Sequence, residues 1–243
     1  MSGHGAVSAL NLPRMTCGAN GRRLPTPIVG VGMSDSEPVV VPSARDVRAS
    51  LDVGPTSGET DACVVACPPH PQQRGHRGDE RLVAIGGRLT EAGVDCLRFD
   101  YGDWDDGYGE LGDTYAALGW ASDRYETVAL TGFSFGGCLT LLAAGGTTVD
   151  GTAGATPDLD AVAALAPPSR LNDDLQAVPA MERVDVPATV VYGERDDVAD
   201  WEPVVEEAER LGWATTALSA DHFFVGRTAA VGDAVGGFLL DAL

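Results

Sequence analysis

Short apolar runs punctuate the chain at 39–41, 63–67, 94–99, 127–131, 161–165, 189–192 and 215–218. Each is of strand length, and the unbroken apolar character of CVVAC and ATVVY suits strands covered on both faces. Between the later runs, apolar residues recur at three- and four-residue spacing over 79–92, 111–122, 135–144, 202–211 and 225–240, which predicts helices. Strands first and then repeated helix–strand units predict an α/β fold: a mostly parallel central sheet with helices on both faces. In such a sheet ligands gather at the carboxyl ends of the strands. The Gly- and Thr-rich stretch 145–160 reads as a long loop. Between 165 and 187 there are only about twenty residues, too few for a large lid domain.

Charge changes the picture more than length does. The 243 residues carry 36 acids against 16 basic residues, a formal net charge of −20, and every basic residue is arginine. Such a field disfavours nucleic acid and anionic membrane surfaces as partners. At molar salt the screening length falls to about 3 Å, so the same surface becomes tolerable and stays hydrated. The composition therefore matches a halophilic protein of a salt-saturated cytoplasm. No stretch approaches the roughly 18 apolar residues that span a bilayer, so a cytoplasmic location is the expectation.

The acids are unevenly placed. Residues 1–32 hold three arginines and no Asp or Glu, whereas 33–243 hold all 36 acids and 13 arginines. The first segment is also Gly- and Pro-rich and lacks periodicity, which predicts a disordered extension, or one that precedes a true start at Met33. Residues 33–243 are expected to form one domain. Arg22-Arg23 invites a twin-arginine export reading, but the apolar run at 28–32 is far shorter than a signal peptide requires. The cysteines, Cys17, Cys63, Cys67, Cys96 and Cys138, are odd in number and mostly set in strand-like runs, as buried thiols would be. Cys63 and Cys67 with His70 lack a second ligand pair, so no metal site is expected.

Candidate chemistry begins where the run 127–131 enters Gly132-Phe133-Ser134-Phe135-Gly136-Gly137 and a helical pattern follows. This is the strand–turn–helix context of a nucleophile elbow, whose tight turn admits only small residues on either side of the serine. A serine hydroxyl needs a base to take its proton. His222 is the only histidine after Ser134, and it follows the last predicted strand. The imidazole in turn needs a carboxylate to fix its tautomer. Asp196, after the run 189–192, fits that role; Asp197 is the rival, and Asp221 is too close to His222 in sequence to face the ring. The oxyanion of a tetrahedral intermediate needs two N–H donors. Phe135 supplies one. In Cys67-Pro68-Pro69-His70-Pro71-Gln72 the prolines have no N–H, which leaves His70 or Gln72, with Gln72 preferred. His70, Trp104 and Phe133 are candidate pocket residues, and 101–108 is expected to line the cleft.

These segments carry a resemblance. PPHP at 68–71, LRFDYGDWDDGYGELGD at 97–113, GFSFGG at 132–137, GERDDV at 193–198 and ADHFF at 220–224 occur in the order seen in small α/β-hydrolases. The chain from Cys63 onward resembles the dienelactone-hydrolase-like group. The resemblance implies an α/β-hydrolase fold, a triad of Ser134, Asp196 and His222, no cofactor, and a small ester-like substrate cleaved through an acyl-enzyme. Thioester cleavage, acyl transfer, or a non-catalytic regulatory role on the same scaffold are the alternatives. Two departures stand out. Dienelactone hydrolases use cysteine where this chain has Ser134, so their substrate does not carry over. The loop after the third strand reads Cys-Pro-Pro-His-Pro where similar hydrolases tend to have His-Pro-His-Pro. Oligomeric state is not legible in the sequence.

The charge makes one prediction by itself. The thermal unfolding midpoint, followed by circular dichroism, is expected to rise steadily between about 0.1 and 2 M KCl as screening relieves self-repulsion. A midpoint indifferent to salt would overturn the halophilic reading.

Overall fold

A computed structural model describes residues 35–54, 60–148 and 158–243. The segment 1–32, and most of the stretch 145–160 expected to be a loop, lie outside the described residues. Met33–Leu243 forms a compact unit of its own.

Eight strands build one sheet in the order β1-β2-β4-β3-β5-β6-β7-β8. They are β1 (Asp35–Val40), β2 (Arg48–Val53), β3 (Ala62–Cys67), β4 (Asp95–Asp100), β5 (Thr127–Phe133), β6 (Ala161–Leu165), β7 (Ala188–Gly193) and β8 (Ala214–Leu218). β1 and β2 run antiparallel to each other, and β2 runs antiparallel to β4. From β4 to β8 all pairings are parallel. The helices are α1 (Glu80–Glu91), α2 (Tyr108–Ser122), α3 (Phe135–Ala144), α4 (Ala177–Met181), α5 (Glu202–Leu211), α6 (Thr228–Val231) and α7 (Gly237–Ala242).

The two-residue period of the strands divides the core. In β3, Cys63, Val65 and Cys67 face one cluster with Leu118 of α2, Leu139 of α3 and Val204 of α5. Val64 and Ala66 face the other, with Leu82, Ile85 and Leu89 of α1 and Leu239 of α7. Both faces of the central strands are thus covered, which is why their sequences are apolar throughout.

The structure adds a strand and breaks a helix. β2 reads RASLDV, with Ala49, Leu51 and Val53 buried in alternation. Its polar residues hide that period from any search for apolar runs. The buried charge is explained across the sheet, where Arg98 of β4 donates from Nε and Nη2 to the Asp52 carboxylate at 2.6 and 2.7 Å. At the other end, 225–240 is interrupted by a π-helical stretch, Gly232–Gly236, between α6 and α7. Among the described residues no helix is long and apolar enough to cross a membrane.

Removing one partner of a buried pair strands the other charge, at a cost of about 3–5 kcal/mol, whereas replacing both by apolar residues is close to neutral. Asp52→Ala should therefore lose that much in urea unfolding, and the double variant Asp52→Leu, Arg98→Met much less. Equal losses from the single and double variants would mean that the pair does not carry the stability.

Candidate active site

β5 runs directly into α3, and Ser134 sits at the corner with φ 56° and ψ −118°. A non-glycine residue in that region costs about 1–3 kcal/mol and persists only where its surroundings fix it. Here the Ser134 N–H donates to the Leu165 carbonyl at the end of β6, 2.8 Å away. The flanking backbones are too close for side chains. A Cβ on Gly132 would lie 2.3 Å from the Gly136 carbonyl oxygen, and one on Gly136 would lie 2.3 Å from that of Cys67.

The candidate base and acid arrive from the ends of neighbouring strands. His222, in the loop after β8, places Nε2 at 2.9 Å from Ser134 Oγ. Its Nδ1 lies 2.7 Å from Asp196 Oδ2, in the loop after β7. Only 4% of His222 and 8% of Asp196 is exposed, so these contacts are shielded from water. The second oxygen, Asp196 Oδ1, accepts from the Val198 and Ala199 N–H groups at 2.9 and 3.0 Å. Burial raises the Asp196 pKa, but the bonds from His222, Ala199 and Val198 outweigh it and hold the carboxyl below its ordinary value. Asp197, the rival, is exposed. Asp221 turns away from the imidazole and accepts from the Phe223 N–H, capping the loop that presents His222.

Two expectations are corrected. Phe133 does not line the pocket: it is buried in the core on the α1 side, its ring 5.2 Å from His222 and under the Arg81 guanidinium. The alternation of β5 sends its side chain to that face. Gln72 is not placed to receive an oxyanion, because its N–H donates back to His70 Nδ1 at 3.3 Å within the short 3₁₀ turn Pro71–Gln73. Burial lowers the His70 pKa, which keeps the ring a neutral acceptor for that bond. The amides of Gln73 and Gly75 both donate to the His70 carbonyl and that of Arg74 to Pro71. This leaves the His70 N–H as the amide of 68–75 that faces no acceptor among the described residues. The Phe135 N–H, in the first turn of α3, is free in the same way.

A cavity of about 600 Å³ opens above Ser134 and His222. His70, Trp104 and Phe135 wall one side; the His70 and Trp104 rings stack at 4.6 Å. The segment from Pro168 to Asp174 closes the other side, and it was not anticipated from the sequence. It is stitched to the Trp104 loop by Asn172 Nδ2 donating to the Asp106 carbonyl and Tyr108 donating to Asp174, at 3.0 and 2.7 Å. Its only sequence signal is the Asn-Asp-Asp turn, which is common to ordinary surface loops. Among the described residues no group of three or more His, Cys, Asp or Glu side chains is arranged to hold a metal ion.

A mostly parallel sheet with helices on both faces, a serine elbow after β5, and acid and base loops after β7 and β8 define the α/β-hydrolase fold. Solved structures share it. An α/β serine hydrolase homologue from Coxiella burnetii is 21% identical over 85% of this chain and 98% of its own, with a TM-score of 0.69. A lidless α/β serine hydrolase from Xanthomonas campestris is 22% identical over 86% and 95%, with a TM-score of 0.68. An esterase from Pyrococcus furiosus is 16% identical over 86% and 93%, with a TM-score of 0.67. No protein-family model matches the sequence, and no curated protein does.

The Asp196 shift has a consequence for stability. A carboxyl whose folded pKa is depressed adds stability above its unfolded pKa and loses it as the pH falls through the folded one. Wild type and Asp196→Asn should therefore differ in unfolding free energy near neutral pH and converge below about pH 4. A gap that stays constant with pH would show that the carboxylate's charge is not what the surrounding donors stabilise.

Proposed function

We propose that this protein is a serine hydrolase that cleaves a small, neutral carboxylic ester through an acyl-enzyme, with residues 33–243 as the catalytic unit. The observation that carries the reading is the unbroken chain Ser134 Oγ to His222 to Asp196, at 2.9 and 2.7 Å, with the serine held on a strained corner.

The steps follow from the contacts. Ser134 Oγ attacks the ester carbonyl while His222 Nε2 takes its proton; Asp196, ionised, holds Nδ1–H and offsets the charge of the imidazolium. The developing oxyanion is received by the N–H groups of Phe135 and His70, which have no other acceptor to give up. Each such donor is worth about 100- to 1,000-fold in rate. His222 returns its proton to the leaving alcohol, and water then repeats the attack on the acyl-enzyme. The route uses no cofactor.

The cavity narrows the substrate class. Its wall is aromatic and aliphatic from Trp104, Phe135, Pro168 and Leu171, and its charged lining is Asp106, Asp173 and Asp174 against Arg170. Arg170 already faces Asp173 at 3.9 Å. Among the described residues the lining thus carries three carboxylates against one arginine, a balance that disfavours a substrate bearing a carboxylate of its own. Serine hydrolases and an esterase among the structural neighbours support the same chemistry. The motif resemblance to the dienelactone-hydrolase-like group supports the scaffold and not that substrate.

Purified protein in molar KCl should hydrolyse p-nitrophenyl esters from acetate to octanoate. Ser134→Ala should abolish turnover while leaving the circular dichroism spectrum unchanged, and p-nitrophenyl hemisuccinate should be a poor substrate beside the butyrate. A folded wild type that neither turns over these esters nor forms an adduct with a fluorophosphonate at Ser134 would overturn the hydrolase reading in favour of a regulatory scaffold.

A further inference from the structure

The second oxyanion donor sits in an unusual loop. Pro68 and Pro69 lack N–H groups, so nothing between Cys67 and His70 can donate to the neighbouring strands or to α3. Two proline rings in succession also fix both intervening φ angles near −65°. The segment from the Pro68 carbonyl to the His70 N–H contains the second of these, the Pro69 φ, between two planar peptide bonds, so it is a short strut with one free torsion, the Pro69 ψ, and orienting one end restricts the other.

One side chain holds that end. Tyr101, immediately after β4, donates its hydroxyl proton to the Pro68 carbonyl oxygen at 3.0 Å. Its ring meets Phe135 edge-on at 5.8 Å, so it touches one residue whose amide faces the oxyanion directly and reaches the other, His70, through Pro68. On its other side it packs edge-on against Phe99 in the core at 5.2 Å. Burial, with the Cys67 thiol and the Glu110 and Asp113 carboxyls nearby, raises the phenol's pKa well above its ordinary value. The hydroxyl thus stays a donor throughout any working pH. The α3 side of the strut is set by Gly136, whose missing side chain lets the Cys67 and Pro68 carbonyls pass close by.

We propose that Tyr101 is a positioning residue for the oxyanion hole: its hydroxyl, acting through the Pro68-Pro69 strut, aims the His70 N–H at the same point as the Phe135 N–H. The inference rests on the hydrolase reading above. A group that sets the oxyanion site affects the tetrahedral state and not the ground-state ester, so its loss appears in kcat and leaves KM alone. A misaligned donor costs less than an absent one but far more than an ordinary buried hydrogen bond does.

The test compares Tyr101→Phe with Tyr115→Phe, both assayed on p-nitrophenyl butyrate in molar KCl. Tyr115→Phe also removes a half-buried hydroxyl, one that donates to the Thr147 carbonyl at 2.8 Å away from the cavity. Tyr101→Phe should lower kcat by about tenfold or more with KM unchanged. A trifluoromethyl ketone, which forms a tetrahedral adduct on the serine, should weaken by the same factor. Tyr115→Phe should retain wild-type kcat and KM. Pro69→Ala, which loosens the strut and leaves the hydroxyl in place, should lower kcat in the same manner and serves as the second variant should Tyr101→Phe not fold. Unchanged kcat in folded Tyr101→Phe or folded Pro69→Ala, or a fall in kcat without loss of ketone affinity, would overturn the proposal while the ester turnover of the wild type upholds the hydrolase reading. A wild type without turnover would sink both.

Discussion

At the carboxyl edge of the sheet, backbone meets backbone with no side chain between. The Gly136 α-carbon abuts the carbonyls of Cys67 and Pro68 at the end of β3, Gly132 abuts the Gly136 carbonyl, and Gly137 lies against the Leu165 carbonyl at the end of β6. Three adjacent strand ends and the first turn of α3 are thereby brought within one layer of backbone atoms. Ser134 has its positive φ because the chain must reverse inside that layer. The same contact sets the distance between the Phe135 amide on α3 and the His70 amide on the β3 loop. Enlarging any of these glycines would separate the Ser134 hydroxyl from both amides.

The loops above this layer are tied down by buried carboxylates. Glu110 and Asp113, both essentially unexposed, project from α2 beneath the 101–108 loop. Glu110 accepts from the Asp105 and Gly107 N–H groups at 3.0 and 2.8 Å, and Asp113 from Gly102 at 2.9 Å. Burial pushes both carboxyls up, and these donors together with Arg45 pull them down. Arg45 links the clusters, its Nε between the two Asp113 oxygens at 3.0 and 3.1 Å. Across the site Arg81 plays the matching part: fastened to Asp79, it donates to the Phe223 carbonyl at 2.8 Å and lies over the Phe133 ring, 4.4 Å from its centre. The planar fork of arginine can serve a carboxylate, a carbonyl and an aromatic face at once, which a lysine ammonium cannot. The arginine-only composition is thus visible in how the site loops are held as well as at the surface.

The parallel strands, α1 to α3 and α5 were legible because burial on two faces or one stripe leaves a period in the sequence. β2 was not, since its apolar positions alternate with Arg48, Ser50 and Asp52, and the reason Asp52 is tolerated is a partner two strand positions away on β4. The geometry joins Ser134, Asp196 and His222, which chain order and strand ends alone had nominated. Phe133 and Gln72 show where that reasoning stops. Proximity to the nucleophile in sequence does not tell which sheet face a side chain takes. Nor does counting N–H groups tell which of them a 3₁₀ turn has already used. The Pro168–Asp174 wall had no signal beyond a turn, because its role comes from bonds to Asp106 and Tyr108 far away in the chain.

Salt acts differently on the surface and on the site. With a net charge of −20, the repulsion among surface carboxylates extends over a Debye length, about 10 Å in dilute buffer and 3 Å at 1 M salt. Asp196 and His222 meet in direct contact at 2.7 Å with little of either exposed, so no salt ion can come between them and the pair is screened far less than the surface is. The buried pair therefore keeps its electrostatics while the surface field that opposes compactness collapses. A strongly acidic shell can therefore surround His222 while the carboxylate in contact with its ring is the one salt cannot reach.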